Sequence, residues 1–142
     1  MSSEQPHADH LADLNHPDIS DFSQKDNIAL LRKTVHPPER LLVLAEGARK
    51  RFSIGLVAVT SERFLFVQSR IIRTPVVLSF PAEEIRDVQI DLALLFGIIT
   101  LVLADRSVRF DLIKPKERIY PLLWRTRELI GLPPEATSVQ LS

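Results

Sequence analysis

The sequence contains no cysteine. That excludes disulfides, thiolate nucleophiles and metal sites built on sulfur, and it fits a reducing compartment. Glycine is scarce. The four glycines, Gly47, Gly55, Gly97 and Gly131, are scattered where turns, strand starts and a helix end are expected, so there is no glycine-rich phosphate loop. Neither charge sign is in excess, with 18 Lys and Arg against 18 Asp and Glu. No aromatic residues interleave with basic ones to form a stacking platform, and nucleic acid is not an expected partner. Long apolar runs are also missing. The longest, "LALLFGIITLVLA", covers 13 residues between Asp91 and Asp105, whereas a membrane-spanning helix needs about 20. The start, "MSSEQPHADHLADLNHPD", lacks the basic opening and apolar middle of a signal peptide. These absences predict a soluble, cytoplasmic protein.

What is present suits one domain with tails. The chain has 142 residues, 45% hydrophobic and 25% charged, close to the globular average. The charges are segregated. Residues 1–27 hold six acids (Glu4, Asp9, Asp13, Asp18, Asp21, Asp26) against Lys25 alone, so this stretch stands at −5 and the remainder at +5. Pro6 and Pro17 interrupt the leader, and residues 1–26 are predicted to be flexible and disordered. In "KDNIALLRKTVHPP", Asp26 or Asn27 is placed to cap a short helix, with Ile28, Leu31 and Val35 at helical spacing. Pro37 and Pro38 end it, giving a helix-and-linker segment over 27–38.

From residue 40 the period changes. Seven runs rich in β-branched and aromatic residues follow at a spacing of about ten: 40–46, 53–60, 63–69, 74–81, 85–92, 97–104 and 107–113. Polar steps at Ser61-Glu62 and Asp105-Arg106 read as tight turns. In the fifth run Val88, Ile90 and Leu92 alternate with Asp87, Gln89 and Asp91, as a half-buried strand requires. The chain then reads "PKERIYPLLWRTRELIGLPP", where Ile119, Leu122, Leu123, Thr126, Leu129 and Ile130 share one helical face. Pro121 implies a kink or a late start to the regular helix, and Gly131 with Pro133-Pro134 ends it. Seven antiparallel strands and one amphipathic helix suggest a small barrel plugged at one end, with Trp124 and its leucine neighbours filling that end. A tail over 133–142 completes the chain.

The stretches "GLVAVTSERFLFV" (55–67), "FPAEEIRDVQI" (80–90), "LLFGIITLVLADRSVRFDL" (94–112) and "PKERIYPLLWRTRELI" (115–130) resemble the bacterial pleckstrin-homology-like domains. The resemblance runs from about Glu39 to Leu132. It implies a mostly β fold: a seven-stranded bent antiparallel sheet or barrel capped by a C-terminal helix. Residues 1–38 have no part in it. Leu56, Val57, Val59, Phe64, Phe66 and Val67 are expected in the barrel wall.

No catalytic machinery is expected. His7, His10, His16 and His36 all lie outside the predicted barrel. His7, Asp9, His10, Asp13 and His16 contain metal-ligand types, but a solvated tail is the plainer reading. Glu83 and Glu84 would point to opposite faces of a strand and read as a strand entrance. No cofactor or metal site is expected.

Two surfaces are candidates for binding. In "GARKRF" (47–52) Arg49, Lys50 and Arg51 occupy the first inter-strand loop, with Arg63, Arg70 and Arg73 expected to add to its rim. Eukaryotic pleckstrin-homology domains hold phosphoinositide head groups near this loop, so the resemblance implies an anionic head group or other phosphorylated ligand here. The second strand, "SIGLVAVT", departs from that pattern, since it carries no charge. The other candidate is "LALLFG" (92–97), where Leu92, Leu94, Leu95 and Phe96 are more apolar than a hairpin tip requires. Part of it is expected in the core and part in contact with a protein, most simply a second copy of the chain. Arg118, Arg125, Arg127 and Glu128 are expected on the solvated face of the closing helix, and the acidic leader to fold back on the basic body as a mask. The leading expectation is a protein-binding and self-associating module. The alternative is peripheral attachment to an anionic membrane through the basic loop.

Overall fold

A computed structural model describes residues 22–50, 53–133 and 139–140. Helix α1 spans Phe22–Thr34 and is followed by seven strands: β1 (Leu41–Ala48), β2 (Ile54–Thr60), β3 (Arg63–Gln68), β4 (Val76–Pro81), β5 (Ile85–Leu92), β6 (Gly97–Leu103) and β7 (Ser107–Lys114). Helix α2 spans Ile119–Leu129, and a two-residue strand β8 (Val139–Gln140) lies beyond it. The strands form one sheet in the order β4-β3-β2-β1-β7-β6-β5-β8. All seven long strands pair antiparallel, whereas β8 runs parallel to β5. Among the seven long strands the order departs from a simple meander at one place, where β7 returns to pair with β1. At that seam β7 carries an extra residue, since Glu46 faces Lys114 while Ala48 faces Asp111. Leu112, in the bulge, adopts a positive φ of 55°, and such bulges bend a strand and sharpen its twist.

The core sits inside the bent sheet. Val43, Ala45, Val57, Val59, Phe64, Phe66, Val88, Ile90, Ile99, Leu101 and Phe110 face inward and pack with Ile119, Leu122 and Leu123 of α2. Helix α2 follows a single 3-10 turn at Lys116–Arg118. Pro121 is its third residue, where no intrahelical partner is available for a backbone N–H, so the regular helix absorbs it without a kink. Trp124 does not fill the barrel end. It is 47% exposed, stacks on Tyr120 at 6.0 Å, and leaves the plug to Ile119, Leu122 and Leu123. Gly97 allows this close fit, because a Cβ there would lie 3.0 Å from the Ile119 side chain.

Strands β2 and β3 are buried on both faces. Val57, Val59, Phe64 and Phe66 point into the barrel, whereas Leu56, Ala58, Leu65 and Val67 belong to a second apolar cluster on the outer face. Helix α1 covers that face with Ile28, Leu31 and Val35. Helix α1, which has no part in the resemblance, therefore packs directly on the sheet. The helix also begins at Phe22, earlier than a cap at Asp26 or Asn27 would allow. Gln24 and Asn27 are buried on its inner face, where side-chain hydrogen bonds satisfy them. Gln24 Nε2 donates to Glu46 Oε2 at 2.7 Å, Asn27 Nδ2 donates to Gln24 Oε1 at 3.2 Å, and Asn27 Oδ1 accepts from the Ser69 N–H at 2.6 Å. These bonds carry the buried face one turn further than apolar spacing predicts.

Candidate functional site

The β1–β2 turn and the β3–β4 loop lie side by side because β2 and β3 pair in register, Leu56 opposite Val67. Within the turn the Arg49 N–H donates to the Ser53 carbonyl at 3.1 Å, and the Ser53 N–H donates to the Lys50 carbonyl at 2.9 Å. Two bonds tie the turn to the end of β3: Ser53 Oγ to Gln68 Oε1 at 3.0 Å, and Gln68 Nε2 to the Ile54 carbonyl at 3.1 Å. Gly55 makes this proximity possible, since a Cβ at that position would sit 2.3 Å from the Val67 carbonyl oxygen.

The loop after Gln68 reads Ser69-Arg70-Ile71-Ile72-Arg73-Thr74-Pro75. Ile71 and Ile72 are 97% and 91% exposed, the two most exposed large apolar residues among those described. Arg70 and Arg73 flank them, also exposed. A shallow depression joins Arg70, Ile71, Ile72 and Arg73 to Ser53 and Gln68. On the other side of the turn a second depression brings Lys50 and Ile54 beside Phe96, Arg109 and Leu112. Among the described residues, no carboxylate pairs with Arg49, Lys50, Arg70 or Arg73. Their charges are therefore available to an anionic partner. Arg51 lies outside the described residues, as do His7, His10 and His16.

Arg63 does not belong to this rim. It begins β3, at the opposite end of the strand from Arg70, and it is committed to a cluster of its own. Arg63 Nε and Nη2 grip both oxygens of Glu39 at 2.8 and 3.0 Å, Nη2 also donates to the Thr34 carbonyl at 3.1 Å, and Nη1 donates to Ser79 Oγ at 3.1 Å. Thr60 Oγ1 donates to Glu39 Oε2 at 2.6 Å. This fork ties the end of α1 and its linker to β2, β3 and β4. Burial alone would raise the Glu39 carboxyl, but the hydrogen bonds from Arg63 and Thr60, with the nearby positive charge, hold it below its ordinary value of 4.5. The bond to Glu39 in turn raises the Arg63 guanidinium. A carboxylate with a lowered folded value stabilises the protein above its unfolded value, and that stability is lost as pH falls through the folded value. Melting temperature is therefore expected to fall as pH drops below about 4.5. Glu39→Gln should lose about 2 kcal/mol at neutral pH, because the Arg63 guanidinium keeps its charge but loses its counter-ion, and should lack that acid-sensitive component. A variant that melts like the parent at every pH refutes the role of the cluster.

The apolar residues of the "LALLFG" hairpin differ in exposure. Leu92 ends β5 and packs against the core. Leu94 and Leu95 stand in solvent at 87% and 76% exposure. The Ala93 N–H donates to the Phe96 carbonyl at 2.9 Å, and Lys116 Nζ donates to the Leu94 carbonyl at 3.0 Å. Two arginines depart from the expected solvated face, Arg118 in the 3-10 turn before α2 and Arg127 within it. Arg118 donates to the Leu44 carbonyl. Arg127 is buried, donating to the Pro133 carbonyl at 3.1 Å and lying 3.8 Å from Asp87. Arg125 and Glu128 remain exposed and pair at 3.1 Å.

Glu83 and Glu84 form part of a single exposed 3-10 turn between β4 and β5. His36 is exposed in the linker. No group of three or more metal-ligating side chains gathers among the described residues, and none of their helices is long and apolar enough to cross a membrane. What the loop end offers chemically is unpaired cations beside exposed aliphatic side chains.

No protein-family model matches this sequence, and no curated protein matches it either. Solved structures do. A pleckstrin homology domain from Shewanella amazonensis SB2B is 16% identical, with a TM-score of 0.51, over 72% of this chain and 93% of that one. A DUF1696 family protein with a pleckstrin-homology domain, from Shewanella loihica PV-4, is 10% identical, with a TM-score of 0.53, over 78% of this chain and 96% of that one. At these identities the likeness is one of fold, and it agrees with the sheet and closing helix described above. The chain has the pleckstrin-homology-like fold of these bacterial domains.

Proposed function

We propose that this pleckstrin-homology-like chain is a non-catalytic binding module that attaches peripherally to an anionic lipid surface, in the cytoplasm, through its β3–β4 loop. The observation that carries this reading is the pair Ile71-Ile72, almost wholly exposed between Arg70 and Arg73. Water is a costly solvent for two adjacent isoleucines, and burying such a side chain yields about 1.5–3 kcal/mol. The flanking arginines, with Lys50 on the neighbouring turn, each add about 1 kcal/mol near an anionic surface. Apolar insertion and a basic patch are the two signals that together hold a protein on a membrane. Because β2 carries no charge, the reading is attachment to a charged surface rather than capture of one head group along that strand.

The test is co-flotation with vesicles of phosphatidylglycerol and phosphatidylcholine in equal parts, beside phosphatidylcholine alone, at low and physiological salt. Flotation is expected with the anionic vesicles only, and it should weaken with salt. Ile71→Ser with Ile72→Ser should lower binding at least about tenfold, the equivalent of 1.4 kcal/mol, while leaving the melting curve unchanged. The second reading is self-association. Its support is the outer edge of β4, which has no strand neighbour among the described residues and exposes Val77 at 41%, together with Leu94 and Leu95. Absence of flotation in every condition, with a dimer or larger species in sedimentation, would replace the first reading by the second.

A further inference from the structure

Because the long strands pair antiparallel, the β1–β2 turn, the β3–β4 loop and the β5–β6 hairpin share one end of the barrel. Strand β7 keeps them level, with Ala48 opposite Asp111 and Gly97 opposite Ile113. Ile54, Ile71, Ile72, Leu94 and Leu95 are all exposed at this end. Elsewhere among the described residues, Val77 and Trp124 alone are exposed large apolar side chains. The three turns at the other end, 61–62, 82–84 and 104–106, expose Glu62, Glu83, Glu84 and Asp105 and no large apolar side chain. The barrel is therefore amphipathic along its axis.

Its two apolar tips repeat one arrangement. Arg70 and Arg73 flank Ile71-Ile72 in the β3–β4 loop. In the β5–β6 hairpin, Lys116 Nζ donates to the Leu94 carbonyl at 3.0 Å. That bond sets a cation beside Leu94-Leu95 and leaves the ammonium with N–H groups to spare. No carboxylate pairs with Lys116 among the described residues. The ground between the tips is continuous. Ser53 shares one depression with Ile71 and Ile72, and Lys50 and Ile54 of the same turn share the next, a cavity of about 460 Å³, with Phe96. A second copy fits this end poorly, since a two-fold contact would set Arg70, Arg73 and Lys116 against the same cations. An anionic bilayer fits it, with lipid phosphates for the cations and acyl chains for the aliphatic side chains.

We propose that Leu94-Leu95 is a second membrane anchor, entering an anionic bilayer together with Ile71-Ile72, so that the barrel stands end-on at the surface. The inference rests on the β3–β4 loop binding lipid. A single tip would hold the domain at one point and leave it free to tilt. Strands β3-β4 and β5-β6 lie at opposite ends of the seven-strand order, so two tips restrain the barrel axis and keep the acidic turns away from the anionic surface.

The chain has no cysteine, so Ile72→Cys, Leu95→Cys and Glu83→Cys in the full chain each give one site for an environment-sensitive nitrobenzoxadiazole label. Each labelled protein is mixed with vesicles of phosphatidylglycerol and phosphatidylcholine in equal parts, with and without a quencher on the acyl chains. Labels at 72 and 95 should brighten and be quenched, and the label at 83, at the opposite end, should do neither. In the unlabelled chain, Leu94→Ser with Leu95→Ser should lower vesicle affinity at least about tenfold and leave the melting curve unchanged. A response at 72 without one at 95, or an undiminished affinity of the serine variant, overturns the second anchor and leaves the lipid reading standing. No response at either tip sinks both. Equal responses at 72, 95 and 83 overturn the end-on placement. A label at 95 that brightens with protein concentration in the absence of vesicles, and not with them, places the hairpin on a second copy and overturns the proposal.

Discussion

Reversing two charges, Arg70→Glu with Arg73→Glu, is expected to weaken binding to anionic vesicles about a thousandfold at low salt. Each cation near an anionic surface is worth about 1 kcal/mol. Removing two and installing two anions changes four charges, or about 4 kcal/mol, and every 1.4 kcal/mol is a factor of ten. The effect should shrink at physiological salt, where the Debye length is about 8 Å. Stability should hardly change, since both side chains are exposed and make no ion pair among the described residues. Surface substitutions of that kind stay within about 0.5 kcal/mol. The control is Arg106→Glu with Arg125→Glu, which alters net charge equally at exposed positions in the β6–β7 turn and on α2. An equal loss of binding in the control would mean that net charge, not this loop, governs attachment.

Phe110→Ala is expected to remove about 4 kcal/mol of stability. Phe110 lies in the middle of β7 and is fully buried. Its ring centroid stands 5.4 Å from that of Phe64, 5.5 Å from Phe66 and 6.3 Å from Phe80. One ring thus joins strands that lie far apart in the sheet order, β7 with β3 and β4. Truncation forfeits the transfer free energy of the ring and leaves a void that three other rings cannot close without moving off their own contacts. Domains of this size hold about 5–15 kcal/mol in total, so thermal melting by circular dichroism should fall by about 15 °C. Phe110→Leu should cost less than half as much, because it refills most of the space. A loss below about 1 kcal/mol for the alanine variant would show that the rings do not form a single packed unit.

The strands were legible because their chemistry is local. In β5 and β7 the strict alternation of Val88, Ile90, Val108 and Phe110 with polar neighbours states which face is buried, and the observed bounds agree within two residues. Helix α2 was legible for the same reason, with Ile119, Leu122, Leu123 and Thr126 all buried at the predicted spacing. Strands β2 and β3 were harder. Their runs, "GLVAV" and "FLFV", do not alternate, and an unbroken apolar strand signals burial on both faces. That signal stood in the sequence. It did not say that α1 supplies the second cover, because the contact joins residues near 28 to residues near 65.

Six basic residues also looked alike in sequence. Only neighbours distant in the chain distinguish them. Arg63 meets Glu39 from 24 positions away and becomes a structural fork, while Arg70 and Arg73 meet no carboxylate among the described residues and stay available. Trp124, which hydropathy assigned to the barrel plug, is displaced outward because Leu122 and Leu123 already occupy the end.

By itself, the sequence determined the number, order and approximate bounds of the seven strands, the closing helix and the segregation of acid from base. Each of these is written in periodicity, turn residues and composition, which act over a few neighbouring residues. Only the tertiary structure decided that α1 packs on the sheet, which arginines are committed, and that the loop bearing Ile71-Ile72 lies beside Ser53 and next to the start of α1. Those outcomes depend on which distant surfaces pack together, and burial, not local propensity, sets the free energy of a side chain.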